Sequence, residues 1–458
     1  MPTTRAQRSD AGRALRMECP RSRQAAWKPH RDADAALALI EESNAGRIPG
    51  LIPVRYGRMA QSPFAFFRGC AIVQARDLLD TPSTGVTVQL CGDCHIMNFG
   101  GFATPERNLI FDINDFDETY PGPWEWDVKR LAVSLVLAAR VRGFSQETAR
   151  DAVRDAAASY REKMFSFAEL SPLEIWYTQI GFADLGNFFR RNADAVGSLQ
   201  SAERFARGRT SEAVFPKLTA IEDGRATILN DPPLVYHFHK YLDQWEAMIA
   251  AFFERYRRSL PVDRQRLFER YAFQDIAAKV VGIGSVGTRC AMALFLADEI
   301  DPLFLQIKEA RRSVVEPPGA DGRFHHQGER VVVGQRLMQA ASDIFLGWAE
   351  VPGSQDYYVR QLRDMKVSVD IETFRPRALL DYGVVCGWAL ARAHAKAGDA
   401  ATISGYLGRA DRFDRALVRY ACAYADQVER DFAAFQGGVR SGRFPTEIGE
   451  FTDVDFLP

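Results

Sequence analysis

A strand–loop–strand pattern in the first third of the chain constrains its fold more than any other feature. Residues 86–90 alternate in the manner of a short strand, and residues 108–113 predict a second strand. Asp93 and Asn98, five positions apart, follow the first strand, and Asp115 follows the second. A hard cation such as magnesium prefers oxygen ligands, so a strand that delivers a carboxylate shortly after such a loop suits metal binding.

The separation of Asp93 and Asn98 is the D-x-x-x-x-N spacing of a phosphotransferase catalytic loop. In such a loop the Asp orients the acceptor hydroxyl and takes up its proton, while the Asn reaches a metal ion. The pair alone is a weak signal, because Asp and Asn occur five apart often by chance. The alternative interpretation is that the acids of this region cap turns and helices, with Asp127 at a helix start.

The wider pattern resembles the aminoglycoside and choline kinase branch of the protein-kinase-like superfamily. That branch has G-D-x-H-x-x-N, an apolar strand ending in Asp, an aromatic residue, a Gly seven positions after that Asp, and a second Asp in the next helix. The chain supplies these residues in register: Gly92, Asp93, His95, Asn98, Asp115, Phe116, Gly122 and Asp127. The sequence looks still more like an uncharacterised bacterial family, domain of unknown function 2252, over most of residues 50–440. That label conveys no substrate.

The resemblance implies a role for five residues of the pattern. Asp93 would be the catalytic base, and His95 would stand beside the transferred phosphoryl group. Asn98 and Asp115 would be the magnesium ligands. Asp127 would be structural and would brace the catalytic loop.

Two positions depart from the pattern of these relatives. Cys91 stands where relatives often carry His, and Asp117 stands where protein kinases have Gly. Neither change removes a metal ligand. Cys91 also forms a CxxC with Cys94, but no second ligand pair for zinc is visible and the motif does not open a helix after a strand, so redox and zinc chemistry are disfavoured.

A second motif past the midpoint of the chain supplies groups that a nucleotide requires. Residues 279–287 are rich in glycine, which lets backbone N–H groups approach phosphate oxygens. Lys308 ends an apolar strand about 20 residues later, like the lysine of V-A-I-K that pairs with the α- and β-phosphates. The predicted nucleotide-binding residues are Gly282, Gly284, Ser285, Gly287, Lys308 and Glu329.

Glu329 is in this set because the lysine of such a motif normally pairs with a glutamate on a helix. Glu316 is the second choice, and either residue could equally be a solvated surface acid. Arg336, Arg360 and Lys366 are more simply surface or structural charges than phosphate-binding groups.

The order of the motifs predicts a rearranged fold. Residues 379–394 resemble the helix that in kinase-like relatives leads directly into the catalytic loop, yet here they come far downstream of Asp93. A circular permutation is the simplest account. We therefore predict an α+β, two-lobe protein-kinase-like fold with a predominantly helical large lobe. The expected parts are a flexible basic tail (1–34), the large lobe (35–269 and 371–440), a small β-rich nucleotide lobe (270–370) and an irregular tail (441–458).

The expected function is that of an ATP- and magnesium-dependent phosphotransferase acting on an unknown hydroxyl or amine acceptor. ATP would lie between the lobes, with its phosphates under the glycines and against Lys308. Nucleotidyl transfer would use the same groups. A pseudokinase-like scaffold is the non-enzyme alternative, although Asp93, Asn98, Asp115 and Lys308 would all be unnecessary for scaffolding.

A different enzyme class also fits the glycine-rich segment. Gly282, Gly284 and Gly287 form a G-x-G-x-x-G fingerprint, with Asp301 approximating the ribose-binding acid of an NAD(P)-dependent oxidoreductase. A helix that begins at Thr288 favours this alternative. A hairpin that leads into the strand of the lysine favours the kinase.

Charge and composition restrict the partners. The chain has 58 basic and 59 acidic residues and a net charge of −1, so no global field attracts nucleic acid or an anionic membrane. No apolar run is long enough for a membrane span or a secretion signal, and the seven scattered cysteines are typical of a reducing compartment. We expect a cytoplasmic protein with no nucleic-acid or membrane partner; its oligomeric state is not indicated.

Overall fold

The structure, a computed structural model, belongs to the mixed α+β class, with 54% helix and 16% strand. The residues it describes are 4–29, 31–190, 192–208, 210–222, 224–232, 234–237, 242–280, 282, 284, 286–298, 301–320, 322–351, 355–362 and 365–447. The α-helices within these residues are α1 (Arg5–Ala14), α2 (Ala33–Glu42), α3 (Ile52–Met59), α4 (Pro63–Gly69), α5 (Ala71–Leu79), α6 (Glu125–Val141), α7 (Gln146–Ala168), α8 (Pro172–Tyr177), α9 (Phe182–Phe188), α10 (Ala193–Arg207), α11 (Ser211–Leu218), α12 (Leu242–Ser259), α13 (Val262–Phe268), α14 (Gln327–Met338), α15 (Pro376–Ala397), α16 (Ala400–Leu407) and α17 (Arg412–Arg440). The strands are β1 (Thr87–Leu90), β2 (Phe99–Ala103), β3 (Leu109–Ile113), β4 (Tyr120–Pro123), β5 (Thr219–Glu222), β6 (Arg225–Ile228), β7 (Val235–Tyr236), β8 (Ala272–Lys279), β9 (Cys290–Leu296), β10 (Pro302–Ala310), β11 (Gly347–Glu350), β12 (Asp356–Gln361) and β13 (Val367–Ser368).

The largest sheet is antiparallel and has the strand order β11-β12-β10-β9-β8-β7. Its central strand, β10, is buried at every position, which explains the continuous apolar run in its sequence. β9 and β10 form a hairpin in which Cys290 lies opposite Lys308. The residues after Thr288 therefore form a strand and not the helix that a dinucleotide fingerprint requires.

Two smaller sheets build the predicted strand–loop–strand unit. β1 pairs with β4, and the β13-β2-β3 sheet aligns Phe99 with Ile113. The predicted strands over residues 86–90 and 108–113 are confirmed as β1 and β3. β4 was not predicted, because a four-residue strand with two prolines has little strand character in its sequence.

A helical body packs beside the large sheet. Its central helix, α6, is buried almost throughout and contacts α4, α7, α15 and α17. One hydrophobic core combines side chains from Ala36 to Ala206 with side chains from Leu379 to Phe444. The segments before and after the large sheet in sequence thus fold together.

The N-terminal segment forms α1 and a 3-10 helix (Arg21–Ala25), whereas a flexible tail was predicted over residues 1–34. Thr4 and Gln7 form a capping box, and α1 packs against α16 at very close range. A Cβ atom at Gly12 would lie 1.9 Å from the carbonyl oxygen of Thr402, so only glycine permits this crossing. At the other end of the chain, Phe444 is fully buried, whereas residues 448–458 of the predicted irregular tail lie outside the described residues.

No helix in the described part of the chain is sufficiently long and apolar to cross a membrane.

A buried ion pair joins α15 to β3. The guanidinium of Arg392 donates to both carboxylate oxygens of Asp112 at 2.9 Å, and neither side chain is exposed. The amide of Ala340 donates to the same carboxylate at 2.9 Å. The pair and the backbone amide offset part of the cost of burying two charges, although Nε and one terminal nitrogen of Arg392 have no hydrogen-bond partner in the described residues.

We expect Arg392→Met to lower the free energy of unfolding by about 3–5 kcal/mol, because it leaves the Asp112 carboxylate buried without its cation. Arg377→Met is the matched control, since Arg377 is 72% exposed and pairs with Asp381 on one helix face. That variant should lose about 1 kcal/mol or less. Urea denaturation measures both, and equal losses would contradict the assignment of the buried pair as an important tertiary link.

Candidate active site

A cavity of about 1080 Å³ lies between the large sheet and the strand–loop–strand unit. It brings together residues of the two motifs that sequence analysis selected independently. These lining residues are Asp93, His95, Asn98, Asp115, Gly282, Gly284 and Lys308. Gly287, Asp127 and Glu329 do not line the cavity, and Ser285 lies outside the described residues.

Asp127, at the start of α6, holds the loop that carries Asp93. Its carboxylate accepts hydrogen bonds from the amides of Cys91 at 2.8 Å and Gly92 at 3.0 Å. Gly92 has φ +88°, and a Cβ atom there would lie 2.0 Å from the carbonyl oxygen of Glu118. The loop therefore needs both the carboxylate beneath it and glycine at its turn.

Helix α15 supports the same loop from the opposite end of the sequence. Nε2 of His394 lies 3.3 Å from the Asp127 carboxylate, and the hydroxyl of Tyr382 lies 3.0 Å from the carbonyl oxygens of Ile96 and Phe99. The helix that resembles the one preceding a kinase catalytic loop thus lies directly against this loop in space.

The Asp93 carboxylate is held in one orientation by Arg130. Oδ1 of Asp93 accepts from Nε of Arg130 at 2.8 Å and from its terminal nitrogen at 2.7 Å. Arg130 is itself buried, donates to the carbonyl oxygen of Phe67 and lies 3.6 Å above the Phe67 ring. Oδ2 of Asp93 lies 3.6 Å from Nε2 of His95, which is too far for a hydrogen bond. This arrangement leaves one carboxylate oxygen available to an acceptor group.

His95 is neutral at neutral pH. Burial, followed by the charges of Arg68 and Arg130, holds the pKa of His95 well below its ordinary value. Its Nδ1 atom is buried and has no hydrogen-bond partner among the described residues. A neutral imidazole can donate or accept one hydrogen bond at this site, but it cannot supply a positive charge.

Oxygen atoms suitable for a hard cation occur at the ends of β2 and β3. The Asn98 amide nitrogen donates to the carbonyl oxygen of Asp93 at 2.7 Å, so the amide oxygen of Asn98 is left for another partner. Asp115 lines the same cavity, and one oxygen accepts from the amide of Asp117 at 3.2 Å. Asn114, which sequence analysis did not select, lines the cavity next to Asp115. This donor set has the chemistry that magnesium prefers.

Lys308 is paired, but with a residue that sequence analysis had noted only as a departure. Its Nζ lies 2.6 Å from Oδ2 of Asp117, whose other oxygen accepts from the Tyr358 hydroxyl at 2.6 Å. Burial alone would lower the pKa of Lys308, but the Asp117 charge raises it well above the ordinary value. Burial would raise the pKa of Asp117, and the charge and hydrogen bond of Lys308 lower it instead. Both groups are therefore ionised at neutral pH.

Neither glutamate predicted to pair with Lys308 does so, although Glu316 lines the same cavity. The Glu329 amide donates to Nδ1 of His326 at the start of α14, and its side chain does not line the cavity. Glu316 is buried and pairs with Arg312 at 2.8 Å. The prediction of Glu329 followed the helix position and missed Asp117, whose proximity to Lys308 exists only in three dimensions.

Helix α14 instead contributes Arg330, which binds the backbone beside Asp117 and does not line the cavity. This fully buried guanidinium donates to the carbonyl oxygens of Asp117 at 2.8 Å, Thr119 at 2.5 Å and Arg311 at 2.7 Å. It thereby fixes the backbone of the segment that carries Asp117 against the end of β10. Three carbonyl acceptors offset much of the cost of burying one cation.

Arg47 and Ile48 bind described residues of the glycine-rich segment. The guanidinium of Arg47 donates to the carbonyl oxygens of Gly284 and Val286. The Ile48 amide donates to the carbonyl oxygen of Gly287 at 2.8 Å. These bonds hold Gly284 where it lines the cavity.

Residues 47–437 match the family described as "Uncharacterized protein conserved in bacteria (DUF2252)". This chain belongs to that family. No curated protein and no solved structure matches the sequence.

Three further basic residues of this DUF2252 protein have distinct environments. Arg360 lines the cavity and donates to Gln306 at 3.0 Å and to the carbonyl oxygen of Asn114 at 3.2 Å. It therefore joins β12 to the segment that carries Asp115, a predicted metal ligand. Lys366 also lines the cavity. Arg336 donates to the carbonyl oxygen of Leu346 at 2.6 Å and has a structural contact outside the cavity.

Arg68 is the residue of the DUF2252 site that sequence analysis missed. It lies at the end of α4 and lines the cavity, and Asp93 and Asp115 are the carboxylates that act on its charge. Its Nε atom is buried without a hydrogen-bond partner in the described part of the chain. No motif pointed to Arg68, because its aromatic-rich sequence surroundings are those of a core helix.

The cysteines of the CxxC are inert in this structure. Cys91 and Cys94 are buried free thiols, and burial raises the pKa of each, to about 11 for Cys94. Together with Asp127 they form a compact group of possible metal ligands. Both oxygens of that carboxylate already accept backbone hydrogen bonds, so the group serves the loop and not a cation.

We expect Asp117→Asn and Lys308→Met each to lower the free energy of unfolding by about 2–4 kcal/mol, because each leaves a desolvated charge without its partner. The double variant should lose clearly less than the sum of the two. The folded pKa of Asp117 is lowered and that of Lys308 is raised. The coupling free energy between the two side chains should therefore be constant between about pH 5 and 9, and it should fall below about pH 4 as Asp117 becomes protonated. Additive losses in urea denaturation would show that the pair is not coupled.

Proposed function

We propose that this protein is an ATP- and magnesium-dependent phosphotransferase of protein-kinase-like architecture. The observation that carries the proposal is the presence of Lys308, Asp93 and Asp115 on the walls of one cavity. Phosphoryl transfer requires a cation for the phosphates, a group that accepts the substrate proton, and a carboxylate that can bind a metal ion. The glycine-rich segment beside them supports a nucleotide as the donor.

The residues present fit magnesium and the phosphates of ATP. Asn98 and Asp115 would hold the metal, whose charge would offset that of the phosphate groups. Lys308 would meet phosphate oxygens while Asp117 keeps it charged and in position. The segment that contains Gly282 and Gly284 would cover the phosphates. The cavity volume of about 1080 Å³ leaves room for an acceptor beside a nucleotide.

Asp93 would orient the acceptor and receive its proton. Its Oδ1 is committed to Arg130, which leaves Oδ2 to accept a hydrogen bond from a hydroxyl or amine. The pairing with Arg130 fixes the orientation of the Asp93 carboxylate, as suits a reaction in which positioning and charge neutralisation supply most of the rate enhancement.

Arg68 would neutralise charge on the group in transfer. In the proposed reaction the phosphoryl group passes between the metal site at Asp115 and the acceptor site at Asp93. Arg68 is the cation near both carboxylates, and its Nε atom lacks a partner among the described residues. A guanidinium matches the geometry of phosphate oxygens through its planar fork.

The arrangement of elements supports a circularly permuted kinase-like fold. An antiparallel sheet carries the lysine, and a mainly helical body carries the loop. Helix α15 follows the sheet in sequence yet lies against the loop through Tyr382 and His394. In the order expected for such a fold this helix would precede the loop, so a shift of the chain ends accounts for the order seen here.

We expect Asp93→Asn to bind ATP with nearly unchanged affinity and to lower ATP turnover by about 100-fold or more, because an amide cannot take up the proton of the substrate hydroxyl or amine. Asp115→Ala should remove the magnesium-dependent part of ATP binding. Calorimetry and the release of ADP measure the two effects. Asp263→Asn, at an exposed helix start, is the matched control. Turnover at the wild-type rate in either active-site variant would refute the assigned roles.

We expect Arg68→Ala to leave the affinity for ADP and magnesium nearly unchanged but to abolish the tighter binding that aluminium fluoride, an analogue of the transferred phosphoryl group, confers on that complex. The loss should be about 100-fold, with partial rescue in Arg68→Lys. Arg258→Ala, which is 72% exposed, is the control. An undiminished aluminium fluoride effect in Arg68→Ala would exclude contact between Arg68 and the phosphoryl group.

A further inference from the structure

A second cavity, of about 610 Å³, is walled mainly by arginines and shares no lining residue with the first. It lies where the segment after α1 meets the beginning of α17. Five of its seven lining residues are basic: Arg16, Pro20, Arg21, Ser22, Arg412, Arg415 and Arg419. A chain with a net charge of −1 thus concentrates positive charge at one concave place.

Two of these arginines are fixed by the end of α16. Arg16 donates through Nε to the carbonyl oxygen of Tyr406 at 2.9 Å and through a terminal nitrogen to that of Gly405. Arg21 donates to the carbonyl oxygen of Leu407 at 2.7 Å. Each bond uses part of a guanidinium that has five N–H donors, so further donors remain on both side chains. The helix end thereby preorganises two cations.

The other three arginines lie on one face of α17, at positions i, i+3 and i+7. They lie at the N-terminal end of the helix, where the helix dipole disfavours positive charge. Of the acids beside these arginines, buried Asp414 pairs with Arg161, outside the cavity, at 2.9 Å. Exposed Asp411 pairs with Arg415 at 3.2 Å and so compensates one of the five arginines.

The arginines of this cavity repel one another. Burial, and then the charges of neighbouring arginines including Arg412, lower the pKa of both Arg16 and Arg21. No carboxylate is among the groups that raise either pKa. The repulsion within such a cluster lowers the stability of the folded protein, and binding of an anion would raise it.

We propose that this arginine cavity binds a small anion that carries two or more phosphate groups. The guanidinium fork matches phosphate oxygens, and five arginines from two segments of the chain exceed what one phosphate group can engage. A single concave site of about 610 Å³ favours a compact oligophosphate over a nucleic-acid duplex, which needs an extended basic surface. A soluble oligophosphate and a phosphorylated lipid headgroup share this chemistry. The proposal does not depend on the phosphotransferase function.

The test is calorimetric titration with inorganic tripolyphosphate at about 0.15 M salt. We expect tripolyphosphate binding to persist in Lys308→Met, which removes the proposed phosphate-binding lysine of the first cavity; any binding event that only the wild type shows belongs to that cavity. The triple variant Arg412→Gln, Arg415→Gln, Arg419→Gln should bind at least about tenfold more weakly. The control triple variant Arg154→Gln, Arg258→Gln, Arg266→Gln removes the same charge from exposed positions on other helices and should bind like wild type.

Three results would each overturn the proposal: no tripolyphosphate binding in the wild type, equal losses of binding in the two triple variants, or complete loss of tripolyphosphate binding in Lys308→Met. Should the triple variant not fold, the single variants Arg412→Gln and Arg419→Gln, at exposed helix positions, carry the same test. Vesicles containing phosphatidylinositol bisphosphate identify the source of the ligand. Co-sedimentation that tripolyphosphate reverses supports a lipid headgroup, and soluble binding without co-sedimentation supports a free oligophosphate.

Discussion

The ion pair between Lys308 and Asp117 connects the two halves of the candidate active-site cavity. Lys308 belongs to the central strand of the large sheet, and Asp117 belongs to the segment after β3, so the pair crosses the cavity. A lysine that is 3% exposed would lose its charge without such a partner. The Tyr358 hydroxyl on the other carboxylate oxygen completes the arrangement. The position of the sheet relative to the catalytic-type loop therefore depends on electrostatic as well as apolar contacts.

Buried arginines repeat this principle around the cavity. Arg330 fixes the backbone next to Asp117, Arg130 orients the Asp93 carboxylate, and Arg392 anchors β3 through Asp112. Each has carboxylate or carbonyl acceptors that offset part of its desolvation. Arg68 lines the cavity, and its Nε atom is buried without an acceptor in the described residues, a feature that it shares with Arg55 and Arg392. Arg68 is distinguished by the two carboxylates that act on its charge, those of Asp93 and Asp115.

Charge in this protein is balanced globally but not locally. The near equality of acidic and basic residues in the sequence conceals the arginine cavity at α17. Three of those arginines are spaced along one helix and are visible as a pattern in the sequence. The two from the N-terminal segment join them only because α1 packs on α16 through Gly12. A local field of this kind is a property of the folded chain.

The sequence by itself determined the elements and the chemistry of the loop. Apolar periodicity located β1, β3, α6 and α7 within a few residues, and the spacing of polar residues after the strands selected Asp93, Asn98 and Asp115. These signals are local, since strand and helix periodicity and loop motifs are written within short segments. Only the tertiary structure decided that Asp117 and not Glu329 pairs with Lys308, that Arg68 enters the cavity, and that the N-terminal segment is ordered. Those outcomes depend on which surfaces approach each other across long sequence separations, and burial and charge pairing between distant residues set that approach.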